Sequence, residues 1–405
     1  MPVEKTPACT LRIENFGPID TAELALGDVN VLVGPQATGK SLAMQCLKLL
    51  IDQEAIQRKM KDANLRWGGK DAGRVFADLY FGEGVGQRWD GDPAKPTTLS
   101  YGRRTIDLKA LGRTPGVNTK RRQSHDRESV FLIPAQRVLV MERGWPSRFI
   151  DFSPGDPFVV RDFSESLRNL LDDERFGEQR IFPQQGRLKK EFRDLLSDNI
   201  FRGFNLNIDR SRPERRFSLS AEGGAGLPYM AWSAGQREFT PLLLGLYRLM
   251  PPTKVSRRGQ LKWVVIEEPE MGLHPKAINA VLLMILDLVR RGYRVCLSTH
   301  SMQVVELVWA INELQRAKAG PDYILDLFKV TKKTDPMLEI AKNTLQRICK
   351  VFYFKTQGPA GQGSSVEDLS TLSLEGDGSW GGLLDFSAAV NDTVARVIAN
   401  RQEQA

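Results

Sequence analysis

An eight-residue segment, Gly34-Pro35-Gln36-Ala37-Thr38-Gly39-Lys40-Ser41, constrains this chain more than any other because it joins two different periodicities. The apolar run Val29 to Val33 before it reads as a buried strand, and Leu42, Cys46, Leu49 and Leu50 after it recur at helical spacing. A strand, a Gly-containing loop and a helix form the setting in which the pattern GxxxxGK[ST] cradles phosphate. Consecutive backbone N–H groups and the helix dipole favour an anion there. Lys40 is placed for the β- and γ-phosphates and the Ser41 hydroxyl for Mg²⁺.

Three further segments carry chemistry. In Val264-Val265-Ile266-Glu267-Glu268-Pro269-Glu270 an apolar strand delivers carboxylates at its C-terminal end, where ligands bind in open α/β sheets. Glu267 is assigned to a metal ion and Glu268 to orienting or deprotonating a water; standing alone, the segment also reads as a strand ending in a solvated acidic turn. Trp232-Ser233-Ala234-Gly235-Gln236-Arg237-Glu238 opens an apolar helix over Leu242 to Leu249. Its Ser233, Gly235 and Gln236 can offer hydroxyl and amide groups to phosphate oxygens, and a plain helix cap at Ser233 reads equally well. In Cys296-Leu297-Ser298-Thr299-His300-Ser301 a strand ends on one of three histidines, placed either to touch a terminal phosphate or simply at the surface.

Strand and helix alternate through the second half: strands over Trp263 to Ile266 and Arg294 to Ser298, helices over Pro275 to Arg290 and Met302 to Glu313. That order predicts a parallel or mixed sheet with crossover helices. Between the halves, 161–204 shows helical spacing twice, through Phe163, Leu167, Leu170 and Leu171 and through Leu188, Phe192, Leu195 and Leu196. Strand alternation follows at Phe204, Leu206 and Ile208 and at Phe217 and Leu219. Residues 82–126 read as peripheral hairpins or loops with basic clusters at Arg103-Arg104 and Lys120-Arg121-Arg122. The Gly- and Ser-rich stretch 358–382 is expected to loop out before a last helix over Phe386 to Asn400.

Composition narrows the classes. The four cysteines are scattered without CxxC spacing, so neither a structural metal nor a disulfide framework is expected. The apolar stretches around Leu242 and Val281 fall short of the roughly 20 residues that cross a bilayer, and the N-terminus carries no signal pattern. A cytoplasmic, membrane-free protein is expected. A net charge of +8 suits nucleic acid or an acidic partner without choosing between them.

With these motifs in this order the chain resembles the ABC-type ATPase heads of the RecF, SMC and OLD (overcoming lysogenization defect) group. Leu11-Arg12-Ile13-Glu14-Asn15-Phe16-Gly17-Pro18-Ile19 looks like that group's first strand and turn. Glu267-Glu268-Pro269-Glu270 running into Met271-Gly272-Leu273-His274-Pro275 is similar to the OLD-like branch. The resemblance covers roughly 9–50 and 230–312 closely. It implies an α/β P-loop ABC-type head with a helical insertion lobe. The implied division is an N-terminal ATPase lobe over 1–135, an insertion over 136–230, a C-terminal lobe over 231–345 and an extension over 346–405 that completes the core.

The same resemblance implies an Mg²⁺-dependent hydrolase that converts ATP to ADP and phosphate between two copies of the chain. Ser233, Gly235 and Gln236 would then act in trans, Met271 to His274 would face the dimer, and His300 would be the switch histidine. Gln136, in Ile133-Pro134-Ala135-Gln136-Arg137, is the candidate for sensing Mg²⁺ and water; a strand ending in a polar turn explains it equally well. Two positions depart from the family pattern: Ala234 stands where many relatives have Gly, and Gln36 where this branch often has Asn. The roughly 100 residues after His300 are too few for the nuclease domain of OLD nucleases, so no nuclease activity is expected.

The leading functional expectation is a homodimeric or larger ATPase that regulates a separately encoded effector, in anti-phage defence. The alternative is a RecF- or SMC-like repair ATPase that clamps duplex DNA through Arg210, Arg212, Arg215, Arg216, Arg257 and Arg258, residues that read equally as solvated loop charges. A transporter ATPase subunit is a third reading, disfavoured by the opening strand.

Overall fold

The computed structural model describes residues 9–89, 95–107, 111, 128–173, 180–184, 186–211, 213–250, 257–357 and 363–370. The basic cluster Lys120-Arg121-Arg122, Arg212 and the expected helix over Phe386 to Asn400 lie outside them.

The strands are β1 (Thr10–Phe16), β2 (Ile19–Ala25), β3 (Val29–Val33), β4 (Thr98–Tyr101), β5 (Arg104–Ile106), β6 (Val130–Ile133), β7 (Arg180–Phe182), β8 (Asn205–Asp209), β9 (Arg216–Ser220), β10 (Leu227–Pro228), β11 (Trp263–Glu267), β12 (Arg294–Ser298), β13 (Cys349–Thr356) and β14 (Ser364–Asp368). The helices are α1 (Lys40–Asp62), α2 (Ala72–Phe81), α3 (Val85–Trp89), α4 (Phe158–Asp172), α5 (Lys190–Leu196), α6 (Ala234–Leu249), α7 (Pro275–Arg290), α8 (Met302–Arg316), α9 (Pro321–Leu327) and α10 (Asp335–Thr344).

Among the described residues, ten strands form one sheet in the order β5-β4-β1-β2-β14-β13-β3-β12-β11-β6. Strands β13, β3, β12, β11 and β6 run parallel. Because both faces of a parallel sheet are covered, its central strands do not alternate between buried and exposed positions, and every residue of β3, β6 and β11 is buried. The wing β5-β4-β1-β2 is antiparallel and shows the expected alternation, as in β1, where Leu11 and Ile13 are buried while Arg12 and Glu14 are exposed. The fold is therefore the α/β architecture with a mixed sheet and crossover helices that the sequence predicts.

Two polar anchors fix the core strands. Asn30, fully buried in β3, accepts from the Gly27 N–H at 2.6 Å and donates to the Val295 carbonyl at 3.0 Å, joining β3 to β12. Lys48, fully buried on α1, donates to the Val130 carbonyl at 2.9 Å and lies within 3.8 Å of Asp52, 3.4 Å of Glu128 and 3.3 Å of Asp162. Asp52 leaves helical geometry and its carboxylate accepts from the Ser129 and Val130 N–H groups, so α1 is tied to the start of β6.

Three segments differ from the sequence expectation. Within 82–126, the expected hairpin is β4–β5, and it does not stand apart as a loop: β4 pairs with β1, and the hairpin forms one edge of the main sheet. The two helical stretches of 161–204 are separated by β7, which joins β8, β9 and β10 in a second, antiparallel sheet. The stretch after Gly358, expected to loop out, supplies β14. Its Ser364–Asp368 backbone pairs with both β13 and β2, and that pairing outweighs the weak strand preference of a Ser-rich segment. Among the described residues, no helix is long and apolar enough to cross a membrane.

Candidate nucleotide site

Since β3, β12, β11 and β6 are mutually parallel, their carboxyl ends open on one edge of the sheet. The segments read from the sequence as Gly34–Ser41, His300, Glu267-Glu268 and Gln136 leave from that edge, where ligands of open α/β sheets bind. The structure thus gathers residues separated by more than 200 positions.

The phosphate loop takes its shape from glycine. Gly34 (φ +137°) and Gly39 (φ +96°) adopt backbone conformations that L side chains rarely enter. A Cβ on Gly34 would sit 2.4 Å from the Phe354 carbonyl oxygen of β13, and one on Gly39 2.5 Å from Ile19. Gly39 caps α1 without any side-chain hydrogen bond, and the first turn carries no acidic residue, so the helix start is left to an anion. Lys40 donates to the Gly34 carbonyl at 2.8 Å and the Pro35 carbonyl at 2.6 Å, which curls its ammonium back over the loop. Burial lowers its pKa to about 8, and the charge of Glu268 pulls it back up. Pro35, Gln36 and Ala37 are exposed, whereas the Thr38 hydroxyl closes the loop onto the Pro35 carbonyl at 2.9 Å and Ser364 donates to the Thr38 carbonyl at 2.8 Å.

Glu267 is 1% exposed at the end of β11. One carboxylate oxygen accepts the Ala135 N–H at 2.9 Å, while the other is buried without a hydrogen bond. Burial pushes its pKa up to about 7; Glu268 adds to the rise, and Ala135, Ser41 and Arg137 oppose it. A buried carboxylate with one orphaned oxygen beside the Ser41 hydroxyl fits a hard divalent cation, which takes oxygen ligands.

Glu268 has φ +43°, a left-handed backbone that costs a non-glycine residue roughly 1–3 kcal/mol. The strained turn aims its carboxylate at His300, whose Nε2 lies 3.5 Å from Oε1. Glu270, unassigned from sequence, accepts from the Thr299 hydroxyl at 2.6 Å and the His300 N–H at 2.8 Å, fixing the histidine's backbone.

Gln136 is exposed in the turn after β6, flanked by Ala135 and Arg137, which both bond to the acidic strand. Ser233 and Gln236 form a capping box at the start of α6: the Gln236 N–H donates to Ser233 Oγ at 3.3 Å, and the Gln236 side chain accepts the Ser233 N–H at 3.1 Å. Both residues keep surface exposure, so the cap is compatible with contact to a ligand. Gly235 packs so closely on the loop after β11 that a Cβ would lie 2.7 Å from the Gly272 carbonyl.

Arg137 belongs to the site although no motif marks it. It is fully buried and forks between the Glu267 carbonyl and the Glu268 carbonyl, each at 2.9 Å, while its Nε donates to the Glu238 carbonyl at 3.1 Å. A single arginine one residue from a more familiar glutamine gave no sequence signal of this role.

Comparison with known proteins places these features in context. A family model described as "AAA domain, putative AbiEii toxin, Type IV TA system" matches residues 96–306, just over half of the chain. The Old nuclease of Escherichia phage P2 is 42% identical over 158 residues, which are 38% of this chain and 25% of that protein; the chain thus spans about a quarter of this curated relative's length. Among solved structures, an SMC head bound to the C-winged helix domain of ScpA shares 12% identity with a TM-score of 0.41, covering 90% of this chain and 97% of that one. The SMC head domain from Thermotoga maritima shares 10% identity with a TM-score of 0.37, covering 90% and 99%.

Proposed function

This chain belongs to the AAA-domain family whose model spans residues 96–306, and we propose that it hydrolyses ATP to ADP and phosphate at the edge of the parallel sheet, with two copies enclosing the nucleotide. The observation that carries the reading is the convergence on that edge of an uncapped glycine loop bearing Lys40, a buried carboxylate with an orphaned oxygen at Glu267, and a Glu268 carboxylate held in a strained turn beside His300.

In this reading the amides at the start of α1 and Lys40 bind the phosphates. Ser41 and Glu267 would hold Mg²⁺, which supplies charge neutralisation at the β- and γ-phosphates when bound, and Gln136 would border the same space. Glu268 accepts the proton of the attacking water, His300 contacts the terminal phosphate, and α6 of the second copy offers Ser233, Gly235 and Gln236. In such a dimer, 1–135 and 231–345 act as the two lobes of the head, 136–230 as an insertion and 346–405 as a completing extension. We assign the whole to the cytoplasm.

The wider role proposed is control of a separately encoded effector in anti-phage defence. The family description, which names a putative toxin of a Type IV TA system, supports a two-component arrangement. A repair ATPase that clamps DNA is the second reading, supported by Arg215 and Arg216 at the start of β9, although each is already paired with an aspartate.

The deciding experiment measures the mass of the Glu268→Gln protein with and without Mg-ATP, alone and with the products of adjacent genes. Nucleotide-dependent dimers or capture of a neighbour product support the proposal. Unchanged mass together with undiminished turnover would remove it, and ATP-strengthened, salt-sensitive binding to duplex DNA would favour the second reading.

A further inference from the structure

We infer that Arg137 is a positioning residue that sets the geometry of Glu268 and ties it to the start of α6; the inference rests on the ATPase reading above. The case begins with the strained turn. Glu268 holds φ +43°, and Arg137 bonds to the peptide carbonyls on either side of it: Nη1 to the Glu267 carbonyl and Nη2 to the Glu268 carbonyl, each at 2.9 Å. The Glu268 N–H is held from the other side by the Ser298 carbonyl at 3.0 Å. The planar, forked guanidinium matches two adjacent carbonyls as an ammonium cannot.

The third donor leads elsewhere. Nε donates to the Glu238 carbonyl at 3.1 Å and lies 3.6 Å from the Glu238 carboxylate, one turn into α6. Charges of Glu238, Glu270, Glu268 and Glu267 all act on this one buried cation. A second contact runs beside the first, where Gly235 presses on the Gly272 carbonyl of the loop after β11. The start of α6 therefore meets the acidic segment twice, through a guanidinium that also bonds the turn of Glu268 and through close packing on the loop after β11. If Ser233 and Gln236 of one copy meet the nucleotide held by the other, a shift of that helix reaches the Glu268 of its own copy through Arg137. One ATP site would then report to the other.

The test compares full-length parent, Arg137→Met, Arg137→Lys, Glu238→Gln and the Arg137→Met/Glu238→Gln double variant. Each is assayed for steady-state hydrolysis and for equilibrium binding of a fluorescent ATP analogue with Mg²⁺. Arg137→Met is expected to lower kcat by roughly 100-fold, the scale of an ångström-size misplacement of a catalytic group, with nucleotide affinity within about threefold of the parent. Arg137→Lys should fail to restore kcat. Glu238→Gln, which keeps every carbonyl contact of Arg137, should lower kcat by about tenfold and add nothing in the Arg137→Met background, since residues acting through one another are not additive. Should Arg137→Met not fold, Glu238→Gln alone decides by the same split between kcat and affinity. Parallel losses of affinity and kcat, additive effects, or full activity in Arg137→Met and Glu238→Gln would overturn the inference while leaving the ATPase reading intact. A parent that does not hydrolyse ATP, or a Glu268→Gln protein as active as the parent, would overturn that reading and this inference with it.

Discussion

Replacing Glu267 by Gln should make the metal-free protein more stable, and only above a definite pH. Burial raises the folded-state pKa of Glu267 from 4.5 to about 7. A carboxyl whose folded pKa is raised contributes stability that is present below its unfolded pKa and is lost as pH rises through the folded value. At 1.36 kcal/mol per pKa unit, holding the ionised group in the closed site costs about 3 kcal/mol at pH 8. At pH 5 the folded group is protonated, and the penalty falls to about 1 kcal/mol. Gln keeps an oxygen to accept the Ala135 N–H and removes the charge. Urea unfolding in EDTA, followed by tryptophan fluorescence, should therefore show Glu267→Gln ahead of the parent by about 3 kcal/mol at pH 8, with the gap mostly closed at pH 5. Adding magnesium and ADP should narrow the gap at pH 8 by stabilising only the parent carboxylate. A gap of equal size at both pH values, or a parent more stable than the variant at pH 8, would refute the account of a buried carboxylate awaiting a cation.

Gly34→Ala should lower stability by about 2–5 kcal/mol, because it combines a left-handed backbone with a Cβ driven into the Phe354 carbonyl; thermal melting of the purified variant checks this. Lys48→Met strips the cation from Asp52, Glu128 and Asp162 and should cost about 3–5 kcal/mol by denaturant titration; a loss below 1 kcal/mol would mean that water already solvates these groups. Ser233→Ala should cost only about 1 kcal/mol as a lost cap. If nucleotide-dependent association survives that change intact, the hydroxyl acts as a cap alone.

The motif-bearing strands were legible because each ends a largely apolar run in a chemically unusual segment, as at Val33 before Gly34 and Ile266 before Glu267. Helix α7 has the predicted bounds, since His274 and Pro275 mark its start. Strand β14 was hidden because Ser364 to Asp368 acquires strand geometry only from its partners. That the hairpin β4–β5 joins the main sheet was hidden for a related reason, since nothing local says that β4 will meet β1. Arg137 and Glu238 escaped notice because their importance lies in contacts made 101 positions apart. Local pattern reveals which residue types gather at a strand end, whereas the atoms that hold them in register belong to tertiary structure.

The placement of β13 has a consequence in time. The strand that delivers the phosphate loop, β3, lies between β12 and β13, so its two neighbours come from residues 294–298 and 349–356. Loop closure over such separations is slow compared with local folding. During synthesis the glycine loop is made early, yet the Phe354 carbonyl that it packs on emerges some 320 residues later. A nascent chain thus carries the nucleotide motif long before it has the cradle. Nucleotide capture becomes a late event that marks a sheet already closed, and chains interrupted before β13 should be made without competing for ATP.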